Sequence, residues 1–378
     1  GRDFAELPIM MESMAIWKSL AQEIGTGLGF RQEGVLYLAQ TEREVAGFEA
    51  WRKTASEMGL ALDMLGADAV AAKLKGAVKP WQAGLFTPSD ARAEPWVAVP
   101  LLAEGAVRRG AVIVENCAVR TLDIAAGRVA GVVTEQGRIA CDRGGVAGGA
   151  WSSVFLRASG VHLPQLSVLA SVAATEPMAE VFAGNACDDD FAFRRRADGG
   201  YSIAPGGGHD FFLGPDAFRN LLDFLPVLRK DFGSTAFRPA APRGFPDAWT
   251  TKRRWSADEI TPFEQTRVLN PAPNMARLDA VQRHFAKAFP SLGRPTLRAA
   301  WAGMIDTMPD VVPVIDHCAA IPGLTIATGL SGHGFGIGPG LGRVVADLVN
   351  GRDIGHDLSR FRLSRFSDGS KLAPGPSL

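Results

Sequence analysis

Apolar residues recur at helical spacing over residues 7 to 24, where Ile9, Met10, Ser13, Ile16, Trp17 and Leu20 share one face. That 3.6-residue period predicts an amphipathic helix. The run Gly34-Val35-Leu36-Tyr37-Leu38 predicts a strand, and Glu42 to Met58 a second helix with Phe48 and Trp51 inward. Ala83 to Thr87 predicts another strand, ended by the turn chemistry of Pro88-Ser89-Asp90. A helix follows from Pro95 or Pro100 to Arg108 and stops at Gly110. Short strands are expected at Val112 to Val114, Ala118 to Leu122, Val129 to Thr134 and Arg138-Ile139, with a three-stranded meander among them, and at Gly144 to Ala147. Farther on, the strands Ser167 to Thr175 and Tyr201 to Ala204 precede helices at Phe218 to Leu228 and Asn274 to Phe289. Residues 233 to 249, rich in Pro, Gly and Ala, read as a surface loop, and a Gly/Pro tail follows Ser370. Strands alternate with helices at both ends, and antiparallel material fills the middle. The predicted fold is therefore α/β, a doubly wound domain interrupted by an antiparallel-sheet domain.

Residues 323 to 351 run from a short apolar strand through a glycine-dense loop into an amphipathic helix. Glycines at 329, 332, 334, 336, 338, 340 and 342 free the backbone to take positive φ and let a flat or anionic ligand approach its N–H groups. Leu341, Val344, Val345, Leu348 and Val349 keep helical spacing, the helix is expected to begin near Pro339, and Gly351 stops it. The positive end of that helix would face the ligand, which makes this loop a candidate cofactor site.

The order Ala327-Thr328-Gly329, Ser331-Gly332-His333-Gly334-Phe335, then helix, resembles the C-terminal flavin-binding segment of the FAD-dependent D-amino acid oxidase superfamily, which includes glycine oxidase and sarcosine oxidase. Trp301-Ala302-Gly303, Thr307-Met308-Pro309-Asp310 and Pro313-Val314-Ile315-Asp316 are similar to the passage beside its isoalloxazine ring. Arg109-Gly110-Ala111, Val119, Gly131 to Thr134 and Val146 to Ser152 resemble a third stretch of the family. The resemblance implies FAD, bound without a covalent link, in contact with Val119, Ala147, Gly148, Gly149, Trp151, Gly303, Met304, Gly329, Ser331, Gly332, His333, Gly334, Phe335, Gly336 and Ile337. For Trp151, core packing is an equal reading. His333 is the candidate catalytic group at the ring edge, and a purely hydrogen-bonding role is the alternative. The implied plan places residues 1–27, 92–165 and 300–378 in the FAD domain, and 28–91 and 166–299 in a substrate domain roofing the flavin.

The activity implied by resemblance is hydride transfer to flavin N5 from the carbon bearing the amine of a D-amino acid or N-substituted amino acid, by an oxidase or dehydrogenase passing electrons to oxygen or a quinone. Three departures bear on it. Ile305 stands where glycine and D-amino acid oxidases carry a carboxylate-binding arginine. Gly336 and Gly303 stand where sarcosine oxidase has a lysine and its flavin-tethering cysteine, and Ser202 aligns with its oxygen-activating lysine. Substrate candidates are accordingly Ile305, Arg194, Tyr201, Ser202 and Arg253; Tyr201 and Ser202 point to opposite faces of one strand, and either is open. The family also opens with a strand, a G-x-G-x-x-G turn and a helix that hold the pyrophosphate. This chain starts at Gly1-Arg2-Asp3, so a truncation of at least roughly 30 residues is expected, with weakened FAD binding. The alternative is a non-catalytic or partner-dependent protein on the same fold.

Composition narrows the partners. Forty basic and forty acidic side chains in 378 residues create no net field for nucleic acid or anionic membrane. No run of eighteen apolar residues and no signal-peptide pattern occur, so a cytoplasmic protein without a transmembrane segment is expected. Cys117, Cys141, Cys187 and Cys318 are scattered, which argues against a metal site or disulfide framework.

Overall fold

The computed structural model describes residues 3–373 apart from 232 and 234, so the expected domain ends at 1–2 and 374–378, with most of the Gly/Pro tail, lie outside the described residues. The first expected helix spans Leu7–Ile24 and the last Gly334–Asn350, and the two pack together. They approach closely at Gly340, where a Cβ would stand 2.6 Å from the Ile9 carbonyl oxygen and 2.9 Å from Ser13 Cβ. Ser13 Oγ donates to the Gly336 carbonyl at 2.8 Å and accepts from the Gly340 N–H at 3.2 Å. It thereby bridges the two groups that an uninterrupted helix pairs with each other. Ile9, Val312, Ile315, Ile337, Leu341 and Val344 bury the apolar faces around this contact.

Among the described residues ten strands make one sheet. Its order is Thr235–Arg238, His209–Phe212, Leu166–Thr175, Tyr201–Ala204, Ala192–Arg195, Asn185–Cys187, Val35–Ala39, Ala83–Thr87 and Asp63–Gly66, with Leu297–Thr307 pairing along Leu166–Thr175. The last pairing carries the sheet across the domain border expected between residues 299 and 300. A three-stranded sheet joins Val314–His317, Leu324–Thr328 and Gly144–Val146, and Val119–Ala125, Arg128–Thr134 and Gly137–Ala140 form the expected meander. One face of the large sheet is apolar: Leu36, Phe193, Tyr201 and Ile203 pack under Leu278, Val281 and Phe285 of the helix Met275–Ala288. Side chains alternate along a strand, so Val35, Asn185, Arg194 and Ser202, aligned in one cross-strand row, occupy the opposite face.

Three expectations change. Val112, Ile113 and Val114 pair with no strand among the described residues and are exposed; apolar sequence alone does not make a strand without a partner backbone. Within 233–249, Thr235–Arg238 is a sheet-edge strand rather than loop, held by the Phe237–Phe211 ring contact at 6.0 Å. The Phe218–Leu228 helix is two helices, Pro215–Arg219 and Leu221–Asp231. No helix among the described residues is long and apolar enough to cross a membrane.

Candidate active site

The glycine loop follows the buried strand Leu324–Thr328 and turns through three left-handed residues, Gly329 (φ 78°), Ser331 (49°) and Gly332 (79°). Gly329 is required twice, since a side chain there would also collide with Met308. The helix begins at Gly334, not near Pro339. Pro339 lies inside the helix, where its missing N–H costs one backbone hydrogen bond, the one to the Phe335 carbonyl. The N-cap residue His333 makes no side-chain hydrogen bond to the first turn. The Ile337 side chain is buried in the core against the first helix. Phe335 rests on Trp17 at 5.2 Å, and Trp17 Nε1 donates to the Gly336 carbonyl at 3.0 Å.

A buried polar network beneath the loop was not predicted from sequence. Asp306 Oδ2 accepts from the Gly329 N–H at 2.7 Å, and from the Thr328 hydroxyl and Gln165 Nε2 at 3.2 Å each. Gln165 Nε2 also reaches the Gly149 carbonyl, Gln165 Oε1 accepts from the Ser153 N–H, and Thr328 Oγ1 meets Ser152 Oγ at 2.9 Å. The Ser331 N–H donates to the Asp306 backbone carbonyl. One carboxylate thus fixes the 329–331 turn to the 148–153 segment. Burial raises the Asp306 pKa above the ordinary carboxylate value, against the lowering effect of the Gly329 and Thr328 hydrogen bonds.

On the adjoining strand, Gly303 has no atom within 4 Å of the place a Cβ would occupy, which leaves an open patch between Trp301 and Ile305. Trp301 meets the exposed Trp96 edge-on at 6.4 Å, and Ile305 lies against Gly332. Met304 alternates to the other face of the strand from Gly303. Val119, Ala147, Gly148 and Trp151 are brought together around a separate apolar cavity of about 250 Å³, where Trp151 stands edge-on to Phe263 at 5.4 Å. Gly149 takes φ 52°, and its carbonyl belongs to the Gln165 network.

Two of the substrate candidates lie elsewhere. Tyr201 is fully buried among Phe193 and Phe285 on the apolar face of the sheet, and its hydroxyl accepts from the Val181 N–H. Arg253 is held by Asp216 and Asp247, which share a charge cluster with Arg157 and Arg219, because the buried Asp216 carboxylate needs cations. Arg194 and Ser202 do share the cleft face, 3.2 Å apart, and Arg194 also donates to the Ala93 carbonyl at 2.7 Å and to Glu94 at 3.2 Å. A cavity of about 330 Å³ opens there, bordered by Phe335, Gly336, Arg194, Asn185 and Arg92. Arg92 carries no sequence signal beyond its place after the Pro88-Ser89-Asp90 turn.

The chain is 23% identical over 355 residues to a D-amino acid dehydrogenase of Rhizobium rhizogenes, spanning 90% of this chain and 70% of that protein. Over 93 residues it is 40% identical to an N-methyl-L-tryptophan oxidase of Salmonella enteritidis, a quarter of that protein and 23% of this chain. The L-amino acid deaminase of Proteus myxofaciens, solved in complex with anthranilate, superposes with a TM-score of 0.90 at 28% identity, covering 96% of this chain and 82% of that one. Residues 2–348 match the DAO family of FAD dependent oxidoreductases, and the chain belongs to that family.

Proposed function

We propose that the protein removes hydride from the amine-bearing carbon of an amino acid or N-substituted amino acid, with FAD held non-covalently between the Trp301–Ile305 strand and the 329–337 loop. The flavin, when bound, supplies the hydride acceptor. The observation that carries this reading is the start of the Gly334–Asn350 helix: its first turn receives no side-chain cap from His333, and its positive end favours an electron-rich carbonyl placed before it. The open patch over Gly303 fits a planar ring. The four free cysteines, Cys117, Cys141, Cys187 and Cys318, all lie outside that strand and loop, in keeping with a non-covalent cofactor. Residues 1–27, 92–165 and 300–378 would form the cofactor side and 28–91 and 166–299 the roof, with Leu297–Thr307 shared between them. Asp306 is a positioning residue, fixing the turn that leads into the helix. His333, at the N-cap, is the candidate group at the ring edge.

The relatives' names share an amino acid as the compound acted on, in D and L configuration and with N-methylation. The test is to load the full-length protein with FAD and follow flavin absorbance anaerobically while adding D-, L- and N-methyl amino acids. Bleaching assigns the configuration, and reoxidation by air or by a soluble quinone assigns the acceptor. Flavin that stays oxidised with every amino acid overturns the proposal.

A further inference from the structure

The 330 Å³ cavity falls within the range of small-molecule sites, roughly 300–1,000 Å³, and its walls are mostly apolar. Met10, Met14 and Trp17 of the first helix, with Phe30, Tyr37 and Phe335, make those walls. Its charged and amide side chains are Asp90, Arg92, Asn185 and Arg194, and the two cations among them are unequal. Arg194 has its donors engaged by Ala93, Glu94 and Ser202. Arg92 gives Nε to the Ala183 carbonyl at 3.2 Å, whereas its Nη1 is sealed from water without an acceptor, and Arg92 takes part in no ion pair among the described residues. Asn185, beside Arg194 in the cross-strand row, has an unpaired buried Oδ1. Burial lowers the Arg92 pKa, as does Arg194 nearby, with Glu94 opposing. Buried donors are nearly always matched, so an unmatched guanidinium N–H at the edge of an apolar cavity marks a place for an acceptor that arrives with a ligand. Arginine matches a carboxylate with a two-pronged geometry.

We infer that Arg92 is the carboxylate anchor of this site, binding amino acids with a large apolar side chain that lies against Met10, Met14 and Trp17. The inference rests on the amino acid reading above. It moves the anchor from the strand position filled by Ile305 to the segment between the Ala83–Thr87 strand and the Pro95–Arg108 helix. Asn185 then supplies an acceptor on the same side of the cavity.

The test measures binding without turnover, by calorimetry and tryptophan fluorescence on the FAD-loaded protein, with anthranilate as an aromatic carboxylate and aniline as the same ring without one. Anthranilate is expected to bind and aniline to bind at least tenfold more weakly. Arg92→Gln should raise the anthranilate Kd about 10- to 100-fold, the range of a lost charge-assisted hydrogen bond, and leave aniline unaffected. Arg92→Lys should recover part of the loss, since lysine keeps the charge but not the fork. Asn185→Asp adds a negative charge to the cavity wall that Arg92 and Arg194 also line and should weaken anthranilate similarly while the unfolding temperature holds or rises, which separates lost binding from lost fold. Absence of anthranilate binding by the unmodified protein, or an unchanged Kd in Arg92→Gln, overturns the inference; should that variant not fold, an unchanged Kd in Asn185→Asp does so. Flavin that no amino acid reduces would defeat the functional proposal while leaving this binding result standing, and the reverse outcome would defeat only the anchor.

Discussion

Two alanine substitutions on one helix, two residues apart, should shift stability in opposite directions. Gly340 meets the first helix so closely that a Cβ would lie 2.6 Å from the Ile9 carbonyl oxygen, whereas at Gly342 nothing stands within 4 Å. Both glycines lie in the Gly334–Asn350 helix, so alanine gains about 0.8–1 kcal/mol of helix propensity at each. At Gly342 that gain is the whole effect. At Gly340 the neighbour is backbone, so the two helices must separate by most of an ångström, and overpacking of this kind costs about 1–3 kcal/mol. Separation also stretches the two Ser13 hydrogen bonds to Gly336 and Gly340, each contributing about 0.5–1.5 kcal/mol. The net expectation for Gly340→Ala is a loss of about 3 kcal/mol. A chain of 378 residues unfolds with an entropy of about 0.8 kcal/mol/K, so this becomes a fall of roughly 4 °C, against a rise of roughly 1 °C for Gly342→Ala. Thermal and urea unfolding followed by circular dichroism measure both. Because the strained contact lies within two turns of the helix start, Gly340→Ala should also release FAD faster. An equal or higher unfolding temperature for Gly340→Ala, or the same sign of shift in both variants, would refute the reasoning.

Asp306→Ala removes the acceptor for Gly329, Thr328 and Gln165 and should cost about 2–4 kcal/mol with weaker FAD retention, read by flavin fluorescence; Asp306→Asn, which keeps one acceptor oxygen, should lose less than half of that. Burial, with Asp216 beside it, pushes the Asp247 carboxyl up to about 6. A raised folded-state value means that its contribution to stability is complete below about pH 4 and is lost as pH rises through 6, a change on the order of 2–3 kcal/mol. Asp247→Asn should flatten urea stability across that window, and an unaltered slope would show that Asp247 does not carry it. Arg253→Ala leaves buried Asp216 short of one cation and should cost about 3 kcal/mol without altering anthranilate affinity. A raised Kd would return Arg253 to the substrate site.

The sequence made the elements legible where the pattern is long or chemically distinctive. The Leu7–Ile24 and Met275–Ala288 helices, the meander, and the strand and glycine loop before residue 334 all stand where their pattern places them. Short strands such as Asp63–Gly66, Asn185–Cys187 and Ala192–Arg195 escaped because three or four residues hold too little alternation to register. The start of the last helix was misjudged by trusting Pro339 as a first-turn residue, when the turn at Gly329–Gly332 and the Ser13 bridge to Gly336 set it earlier. The second of these, Ser13, lies more than 300 residues away, on the first helix.

The site residues divide along a different line. Residues that act through the backbone, such as Gly329, Gly332 and Gly303, announce themselves, because a glycine run is a statement about φ and close approach that needs no partner to be read. Residues that act through charge do not. The chain holds forty cationic side chains, and composition treats Arg92, Arg194 and Arg253 alike. What separates them is the inventory of acceptors that the fold brings to each: carboxylates for Arg253, two oxygens of the 93–94 segment and a serine for Arg194, and one carbonyl for Arg92. That inventory depends on which strand register puts Asn185 beside Arg194 and on which turn carries Arg92 to the cavity rim, and neither is encoded locally. An unsatisfied donor is a property of the assembled structure, and for that reason Arg92, with the fewest partners of these three, carries more information about a ligand than the other two.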